Sequence, residues 1–190
     1  MGSGVQLELE LQIALLLKIG GTSAAQHRDG QRHNGAEDDH GGDTMFASMY
    51  LAYEALSDRM KKYLEGLTAV HDGESVYRGL YKNYGVAEKE QYPRAEHPVV
   101  RTHPVTGKKG LYVNRGFTRA LVGVPRDESD AILRYLYEHM ENPLFQCRFR
   151  WRENSIAFWD NRCAQHRAMW DYWPHTRSGN RVTVLGDRPV

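Results

Sequence analysis

The sequence predicts a mainly β domain with helices inserted between the strands, which is the pattern of a double-stranded β-helix, or jelly roll. Runs rich in β-branched and aromatic residues dominate the C-terminal half, where alternation of apolar and polar side chains indicates strands. One such run covers residues 68–71, and those in the C-terminal half cover residues 99–103, 111–114, 146–151, 156–159 and 182–185. Segments with helical periodicity separate them, so we expect a jelly roll that is covered on one side by helices.

Three helices and one hairpin account for most of the remaining pattern. Apolar residues recur at helical spacing at Phe46, Met49, Tyr50, Tyr53 and Leu56. Asp43 and Thr44 precede them as candidate caps, and a second short helix is expected at residues 60–67. Residues 127–140 place an apolar face behind an acidic start, which predicts a third helix. Residues 104–107 carry the proline and glycine of a tight turn, so the runs on either side are expected to form a hairpin.

Composition and charge limit the class of protein. A chain of 190 residues, with 41% hydrophobic and 26% charged residues, is typical of one globular domain. Its 25 basic and 24 acidic residues give a net charge of +1, so we expect neither a nucleic-acid partner nor a membrane partner. The apolar stretch at residues 11–19 is too short to span a bilayer. The two cysteines, Cys147 and Cys163, form no CxxC pair, which favours reduced thiols and a cytoplasmic location.

The composition changes near residue 41, which we take as the start of the folded domain. Residues 5–13 alternate like a strand, whereas residues 20–40 are polar, rich in glycine and histidine, and offer almost nothing to bury. This pattern predicts that residues 1–40 are an atypical segment, either disordered or non-native. One domain would follow at residues 41–190.

One stretch near the C-terminus carries a dense series of short motifs. It reads Trp159-Asp160-Asn161-Arg162, then His166, Asp171-Tyr172, Arg177, Arg181 and Gly186-Asp187-Arg188-Pro189. Two further motifs lie upstream, Gly41-Gly42-Asp43-Thr44 and Val113-Asn114-Arg115-Gly116-Phe117. In this order and at this spacing, residues 41–190 resemble the taurine dioxygenase (TauD/TfdA) family of iron(II)- and 2-oxoglutarate-dependent oxygenases.

The resemblance implies a role for each matching residue. His166 would be the distal iron histidine, while Thr44 and Arg177 would bind the cosubstrate 2-oxoglutarate, Arg177 at its far carboxylate. Phe117 would line the substrate pocket, and Arg181 would face an anionic substrate. With iron(II) and molecular oxygen, the implied reaction is hydroxylation of a small sulfonate such as taurine beside the sulfur. Sulfite is then released, and 2-oxoglutarate becomes succinate and carbon dioxide.

The chemistry explains why these residue types are needed. Two imidazoles and one carboxylate leave open positions on iron(II), where a chelating cosubstrate and oxygen can bind. A planar, permanently charged arginine recognises a carboxylate or a sulfonate better than a lysine does. Arg177 and Arg181 are four residues apart, and in an extended strand an even spacing places both side chains on one face. One arginine can therefore hold the cosubstrate while the other holds the substrate.

Outside the motif context, each of these residues has a simpler interpretation. His166 would be a hydrogen-bonded structural histidine, and Phe117 would be hydrophobic packing. Arg177 and Arg181 would be solvated strand charges. Asp160 lies near His166 in sequence, but in the family it belongs to a structural turn, so we do not expect it to bind iron.

The family takes its other two iron ligands from an upstream HxD motif, and that block is not recognisable in this chain. His27-Arg28-Asp29 matches by its letters, but it lacks apolar surroundings and lies too close to Thr44 for an intervening strand. The resemblance therefore predicts a jelly roll that is incomplete at its N-terminus. It leaves open an active oxygenase or a truncated, catalytically inactive member that at most binds anions. A structural interaction module that binds no 2-oxoglutarate is a third interpretation.

The substrate and the assembly also stay open at this point. An alkyl sulfate or an aryloxyalkanoate would suit the same mechanism as a sulfonate. Members of the family commonly form dimers or larger assemblies, so a homo-oligomer is compatible with the resemblance, but no residue in the sequence decides it.

Overall fold

The computed structural model describes residues 13–17, 41–83, 91–152, 154–174, 180–184 and 186–190. Over these ranges the chain forms eleven strands and four helices. The strands are β1 (Ile13–Leu17), β2 (Thr44–Ser48), β3 (Thr68–Asp72), β4 (Arg94–Pro98), β5 (Val100–Thr102), β6 (Lys109–Leu111), β7 (Thr118–Leu121), β8 (Gln146–Phe149), β9 (Ile156–Asp160), β10 (Ala164–Ala168) and β11 (Asn180–Val184). The helices are α1 (Met49–Glu54), α2 (Asp58–Leu64), α3 (Glu74–Asn83) and α4 (Arg126–Met140), and a short 3-10 turn follows at Pro143–Phe145.

Three antiparallel sheets and one hairpin organise these strands. Sheet A has the order β11-β1-β9, sheet B has the order β10-β2-β8, and sheet C has the order β4-β3-β7. Sheets A and B face each other, because the Trp159 ring of β9 packs against Phe46 of β2 and His166 of β10, with ring centroids 5.0 and 4.9 Å apart. This two-sheet arrangement confirms the predicted fold class, a mainly β jelly roll with inserted helices.

Strand β1 is the central strand of sheet A, although it precedes residue 41 in the sequence. It pairs antiparallel with β11 on one side and with β9 on the other, so that Leu16 is opposite both Arg181 and Ala157. The rest of residues 1–40 lies outside the described residues. The domain boundary at residue 41 therefore stays a prediction.

Residues 44–48 form a strand, where the sequence pattern predicted the start of a helix. Strand β2 is hydrogen-bonded to β8 on one side and to β10 on the other. This strand pairing stabilises the extended conformation, although the apolar residues recur at helical spacing. The predicted helix cap at Asp43 or Thr44 is therefore wrong. Helix α1 begins after Ser48 instead, whose hydroxyl accepts a hydrogen bond from the Leu51 N–H at 3.4 Å.

The predicted hairpin and third helix are confirmed, and the second helix is present but covers Asp58–Leu64 rather than residues 60–67. Strands β5 and β6 pair across a turn in which the Gly107 N–H donates to the His103 carbonyl at 2.8 Å. Helix α2 is capped by Ser57, whose hydroxyl accepts from the Met60 N–H at 3.2 Å. Helix α4 begins one residue before the predicted span and ends where predicted. Of the described helices, none is long and apolar enough to cross a membrane.

The main hydrophobic core lies where the helices meet sheet C and the β5–β6 hairpin. Leu133, Leu136 and Met140 recur along one face of α4, and this face is buried. The other buried members of the core are Met49, Ala52, Leu56, Leu64, Ala69, Val99, Leu111, Val113 and Leu121. Through this core, helix α1 packs against β6 and helix α4 packs against β7.

Leu136→Ala should destabilise the domain strongly. Leu136 is 0% exposed, so truncation removes buried contacts and leaves a cavity, which costs about 2–5 kcal/mol of unfolding free energy. Leu144→Ala is the matched control, because Leu144 is 82% exposed and its loss should change the unfolding free energy by less than about 0.5 kcal/mol. Urea unfolding followed by circular dichroism measures both variants. Equal losses in the two would contradict this placement of the core.

Candidate active site

His166 and Thr44 lie on the same face of sheet B. Strand β10 pairs with β2 so that His166 is opposite Phe46 and Ala168 is opposite Thr44. Side chains two residues apart along a strand point to the same face, so His166 and Thr44 are diagonal neighbours across the two strands. The structure thus brings together two of the residues that the sequence predicts for one site.

The His166 ring packs against two aromatic side chains in the space between sheets A and B. The ring centroids of Trp159 and Phe46 lie 4.9 and 6.2 Å from it. His166 is solvent-exposed overall, yet the surrounding protein desolvates the ring in part. Burial first, and the positive charge of Arg181 second, lower the pKa of His166. The neutral imidazole that results is the form that binds a metal ion.

Arg181 lies in sheet A on the face that points toward sheet B. Arg181 and Ala157 are both opposite Leu16 of β1, and Trp159 is two residues beyond Ala157, so these three side chains share one face of the sheet. This is the face from which Trp159 contacts His166. The two sheets therefore place a cation and an imidazole on opposite sides of one space.

Thr44 is buried and receives a hydrogen bond from Trp151. Thr44 is 3% exposed, and Trp151 Nε1 donates to Thr44 Oγ1 at 3.0 Å. Trp151 follows β8, and its ring packs edge-on against Phe149 with 4.8 Å between the centroids. The sequence pattern does not single out Trp151, because its contact with Thr44 spans 107 positions of the chain.

Arg148 bridges two of the sequence motifs. Its guanidinium lies 2.5 Å from the Asp43 carboxylate and 3.0 Å from that of Asp171. Asp171 also accepts a hydrogen bond from the Gly42 N–H at 2.7 Å, which is the main cause that holds the pKa of Asp171 below its usual value. Gly41 has a φ of 74°, and a Cβ atom there would lie 2.6 Å from Asp171 Oδ1, so only glycine fits.

Phe117 lies beside sheet C rather than in sheet A or B. Its N–H donates to Asn114 Oδ1 at 2.8 Å, and its carbonyl accepts from the Asp72 N–H at 2.8 Å. Its ring centroid is 5.9 Å from that of Tyr77 on α3, an aromatic residue that the sequence pattern did not single out. No described contact joins the Phe117 ring to His166, so its place in the substrate pocket stays a prediction.

Three predicted site residues, Arg177, His27 and Asp29, lie outside the described residues, and their roles stay predictions. Among the described residues, His166 fits one position of an iron(II) site, because it offers a neutral imidazole toward the space between the sheets. Among the described residues, no second imidazole or carboxylate is assigned to a facial triad with His166.

Asp160 is engaged in a dense group of hydrogen bonds. Arg162 Nε lies 2.9 and 3.0 Å from its two carboxylate oxygens, and His103 Nε2 lies 3.0 Å from Oδ2. Burial acts to raise the pKa of Asp160, but the hydrogen bonds from Arg162 and His103 outweigh it and lower the pKa to about 2. This arrangement agrees with the structural turn expected for the Trp-Asp-Asn-Arg motif.

His103, Asp160 and Cys163 are residue types that bind metals, and their ligand atoms lie within 4.8 Å of one another. However, His103 Nδ1 accepts hydrogen bonds from the N–H groups of Val105 and Thr106, each at 3.2 Å. His103 Nε2 must therefore carry the ring proton and donate it to Asp160, so neither nitrogen offers a lone pair to a metal ion. This cluster is structural.

Asp160→Asn should reduce the loss of folding stability that the protein undergoes as the pH falls into the acidic range. The folded pKa of about 2 lies below the ordinary value of 3.8. Such a carboxylate contributes stability that is present above about pH 4 and is lost as the pH falls toward about 2. The urea midpoint of the wild type should drop more steeply over this window than that of Asp160→Asn.

Asp130→Asn, which removes an exposed carboxylate paired with Arg126 on α4, is the control for this pH series. Its curve should follow that of the wild type. Parallel curves for the wild type and Asp160→Asn would contradict the lowered pKa.

Comparison with known proteins identifies the family. Residues 32–183 match the family model described as Taurine catabolism dioxygenase TauD, TfdA family. The alpha-ketoglutarate-dependent sulfonate dioxygenase of Saccharomyces cerevisiae is 37% identical over 154 residues, which cover 80% of this chain and 37% of that protein. An alkylsulfatase of Acinetobacter baylyi is also 37% identical, over 155 residues that cover 77% of this chain and 49% of that protein.

A solved structure agrees with these matches. The crystal structure of a taurine dioxygenase from Burkholderia xenovorans superposes with a TM-score of 0.70 at 34% identity, covering 95% of this chain and 55% of that one. The chain spans less than half the length of the two curated relatives. The family model covers most of the chain, so this protein belongs to the TauD/TfdA family of taurine catabolism dioxygenases.

Proposed function

We propose that this chain contributes the catalytic jelly roll of an iron(II)- and 2-oxoglutarate-dependent dioxygenase that acts on a small sulfonate such as taurine. The observation that carries the proposal is the shared site, with His166 and Thr44 on one face of sheet B and Arg181 on the facing side of sheet A. The Saccharomyces cerevisiae relative bears the name of a sulfonate dioxygenase, which supports the substrate class.

The residues of sheet B suit the cosubstrate side of this reaction. Thr44 offers a hydroxyl that can donate to a carboxylate of 2-oxoglutarate, whereas Arg177, which lies outside the described residues, would offer a planar fork for the far carboxylate. His166 offers its neutral imidazole to iron(II). When bound, iron(II) supplies the oxygen chemistry that couples decarboxylation of 2-oxoglutarate to hydroxylation of the substrate.

Arg181 suits the sulfonate head group on the other side of the space. A sulfonate has three acceptor oxygens and a permanent negative charge, and an arginine keeps its positive charge at any working pH. Phe117, with Tyr77 beside it, would border the carbon chain of the substrate. Hydroxylation at the carbon next to sulfur allows the C–S bond to break, so that sulfite leaves with the bonding electrons and an aldehyde remains.

Three alternatives are compatible with these residues. An alkyl sulfate ester carries a similar anionic sulfur group for Arg181, and the Acinetobacter baylyi relative is named an alkylsulfatase. An aryloxyalkanoate, which presents a carboxylate, would suit the same arginine. A catalytically inactive family member is favoured by the fact that, among the described residues, only His166 is assigned as an iron ligand.

Anaerobic addition of iron(II) and 2-oxoglutarate to the purified chain should produce the weak visible charge-transfer band of the chelate. His166→Ala should abolish the band because it removes an imidazole ligand, and Arg177→Ala should weaken 2-oxoglutarate binding. Arg126→Ala, which removes an exposed arginine on α4, is the control and should keep the band. Folded wild-type protein without a band would identify the chain as a catalytically inactive member.

Arg181→Ala should raise the KM for taurine far more than the KM for 2-oxoglutarate. Loss of a charge-assisted hydrogen bond to the sulfonate corresponds to roughly a 10- to 100-fold increase. Arg181→Lys should raise the KM for taurine less than Arg181→Ala does, and the Arg126→Ala control should leave it unchanged. Sulfite release measures the reaction, with an alkyl sulfate assayed in parallel. A larger increase in the KM for 2-oxoglutarate would assign Arg181 to the cosubstrate instead.

A further inference from the structure

A hydrogen bond joins Trp151 to Thr44 across most of the domain's sequence. Trp151 Nε1 lies 3.0 Å from Thr44 Oγ1, and the two residues are 107 positions apart. Thr44 is only 3% exposed, so water has little access to compete for its hydroxyl. Trp151 therefore affects the residue that, in the proposed function, contacts the cosubstrate.

The direction of this hydrogen bond follows from the chemistry of the two groups. An indole N–H can only donate, so Thr44 Oγ1 must be the acceptor. A hydroxyl has one proton, and an oxygen that accepts from the indole directs this proton toward a different acceptor. A carboxylate only accepts hydrogen bonds. The Thr44 hydroxyl is therefore oriented as a donor that suits a carboxylate of 2-oxoglutarate.

The result is a chain of two hydrogen bonds that ends on an anion. Donation into the hydroxyl oxygen polarises the O–H bond, and successive hydrogen bonds strengthen one another. The second bond is charge-assisted because its acceptor is a carboxylate. Without the indole N–H, the Thr44 hydroxyl oxygen would lose the donor that directs its proton toward another acceptor.

Trp151 is itself held by contacts at the end of β8. Its ring packs edge-on against Phe149 at 4.8 Å. Arg148 lies three residues before it and contacts Asp43, the immediate neighbour of Thr44, at 2.5 Å. Two contacts, from Arg148 to Asp43 and from Trp151 to Thr44, thus join the end of β8 to the start of β2.

We propose that Trp151 is a positioning residue for the cosubstrate, because its indole N–H orients the Thr44 hydroxyl as a donor to a carboxylate of 2-oxoglutarate. The inference rests on the proposed function, since it requires 2-oxoglutarate to bind beside Thr44. It assigns a role to a residue that lies outside the motifs carried by the sequence.

Equilibrium dialysis of radiolabelled 2-oxoglutarate tests the inference, with zinc(II) present as a redox-silent substitute for iron(II). Trp151→Phe keeps an aromatic ring but removes the N–H, and should raise the Kd for 2-oxoglutarate about five- to tenfold. Thr44→Val should raise the Kd at least as much. In the Thr44→Val background, Trp151→Phe should have no further effect, because it acts through the hydroxyl that is already absent.

The control is Tyr63→Phe, which removes a remote hydroxyl that donates to Glu128 at 2.8 Å on the protein surface, and it should leave the Kd unchanged. If Thr44→Val weakens binding and Trp151→Phe does not, the role of Trp151 is overturned while the proposed function stands. Additive effects in the double variant overturn it as well. If the folded wild type binds no 2-oxoglutarate, the proposed function and this inference both fail.

A second measurement does not require Trp151→Phe to fold. In protein with isotope-labelled indole nitrogens, nuclear magnetic resonance follows each tryptophan N–H separately. The indole resonance that shifts in Thr44→Val should be the one that shifts most when 2-oxoglutarate is added to the wild type. Responses from two different indole resonances would overturn the inference.

Discussion

The position of the candidate site depends on one guanidinium, that of Arg148. Asp43 is 2% exposed, and a buried carboxylate without a cationic partner would strongly destabilise the fold. Arg148 neutralises it and also contacts Asp171, so a single side chain joins β8, the start of β2 and the segment after β10. Asp171 in turn accepts the Gly42 N–H, and a Cβ atom at position 41 would collide with Asp171, so this position requires glycine. Because Thr44 follows Asp43 directly, the placement of its hydroxyl depends on this ion-pair network.

A second network of charges has a comparable effect at the turn between β9 and β10. Asp160 binds Arg162 and His103, while Asp187 lies 2.7 Å from Arg101 and 3.6 Å from Arg162. The Trp-Asp-Asn-Arg turn is thereby joined to the β5–β6 hairpin and to the C-terminal segment. Arginines therefore connect the sequence motifs in pairs. Arg148 connects Gly-Gly-Asp-Thr with Asp-Tyr, and Arg162 connects Trp-Asp-Asn-Arg with Gly-Asp-Arg-Pro. Most of the motif residues stabilise loops and turns. Only a few of them have side chains that point into the space between sheets A and B.

This division explains how much the sequence could predict. Strands rich in β-branched and aromatic residues, such as β9, and helix α4 with its apolar face were recognisable from local pattern. Strand β10 reads Ala-Gln-His-Arg-Ala and has little intrinsic preference for a strand, so it forms because β2 pairs with it. His166, Thr44 and Arg181 could be selected from motifs, and the alternation of strand side chains places them. Trp151 could not, since no local pattern records a contact across 107 positions.

The two sheets divide the proposed chemistry between them, and electrostatics couples the two halves. Sheet B carries the imidazole and the hydroxyl, whereas sheet A carries Arg181. After burial, the permanent charge of Arg181 is the next cause that lowers the pKa of His166, so it favours the neutral imidazole that a metal ion requires. The same charge attracts an anion into the space between the sheets. A cation placed for an anionic substrate therefore also helps to keep the histidine in its metal-binding form, and an uncharged side chain at position 181 would lose both effects together.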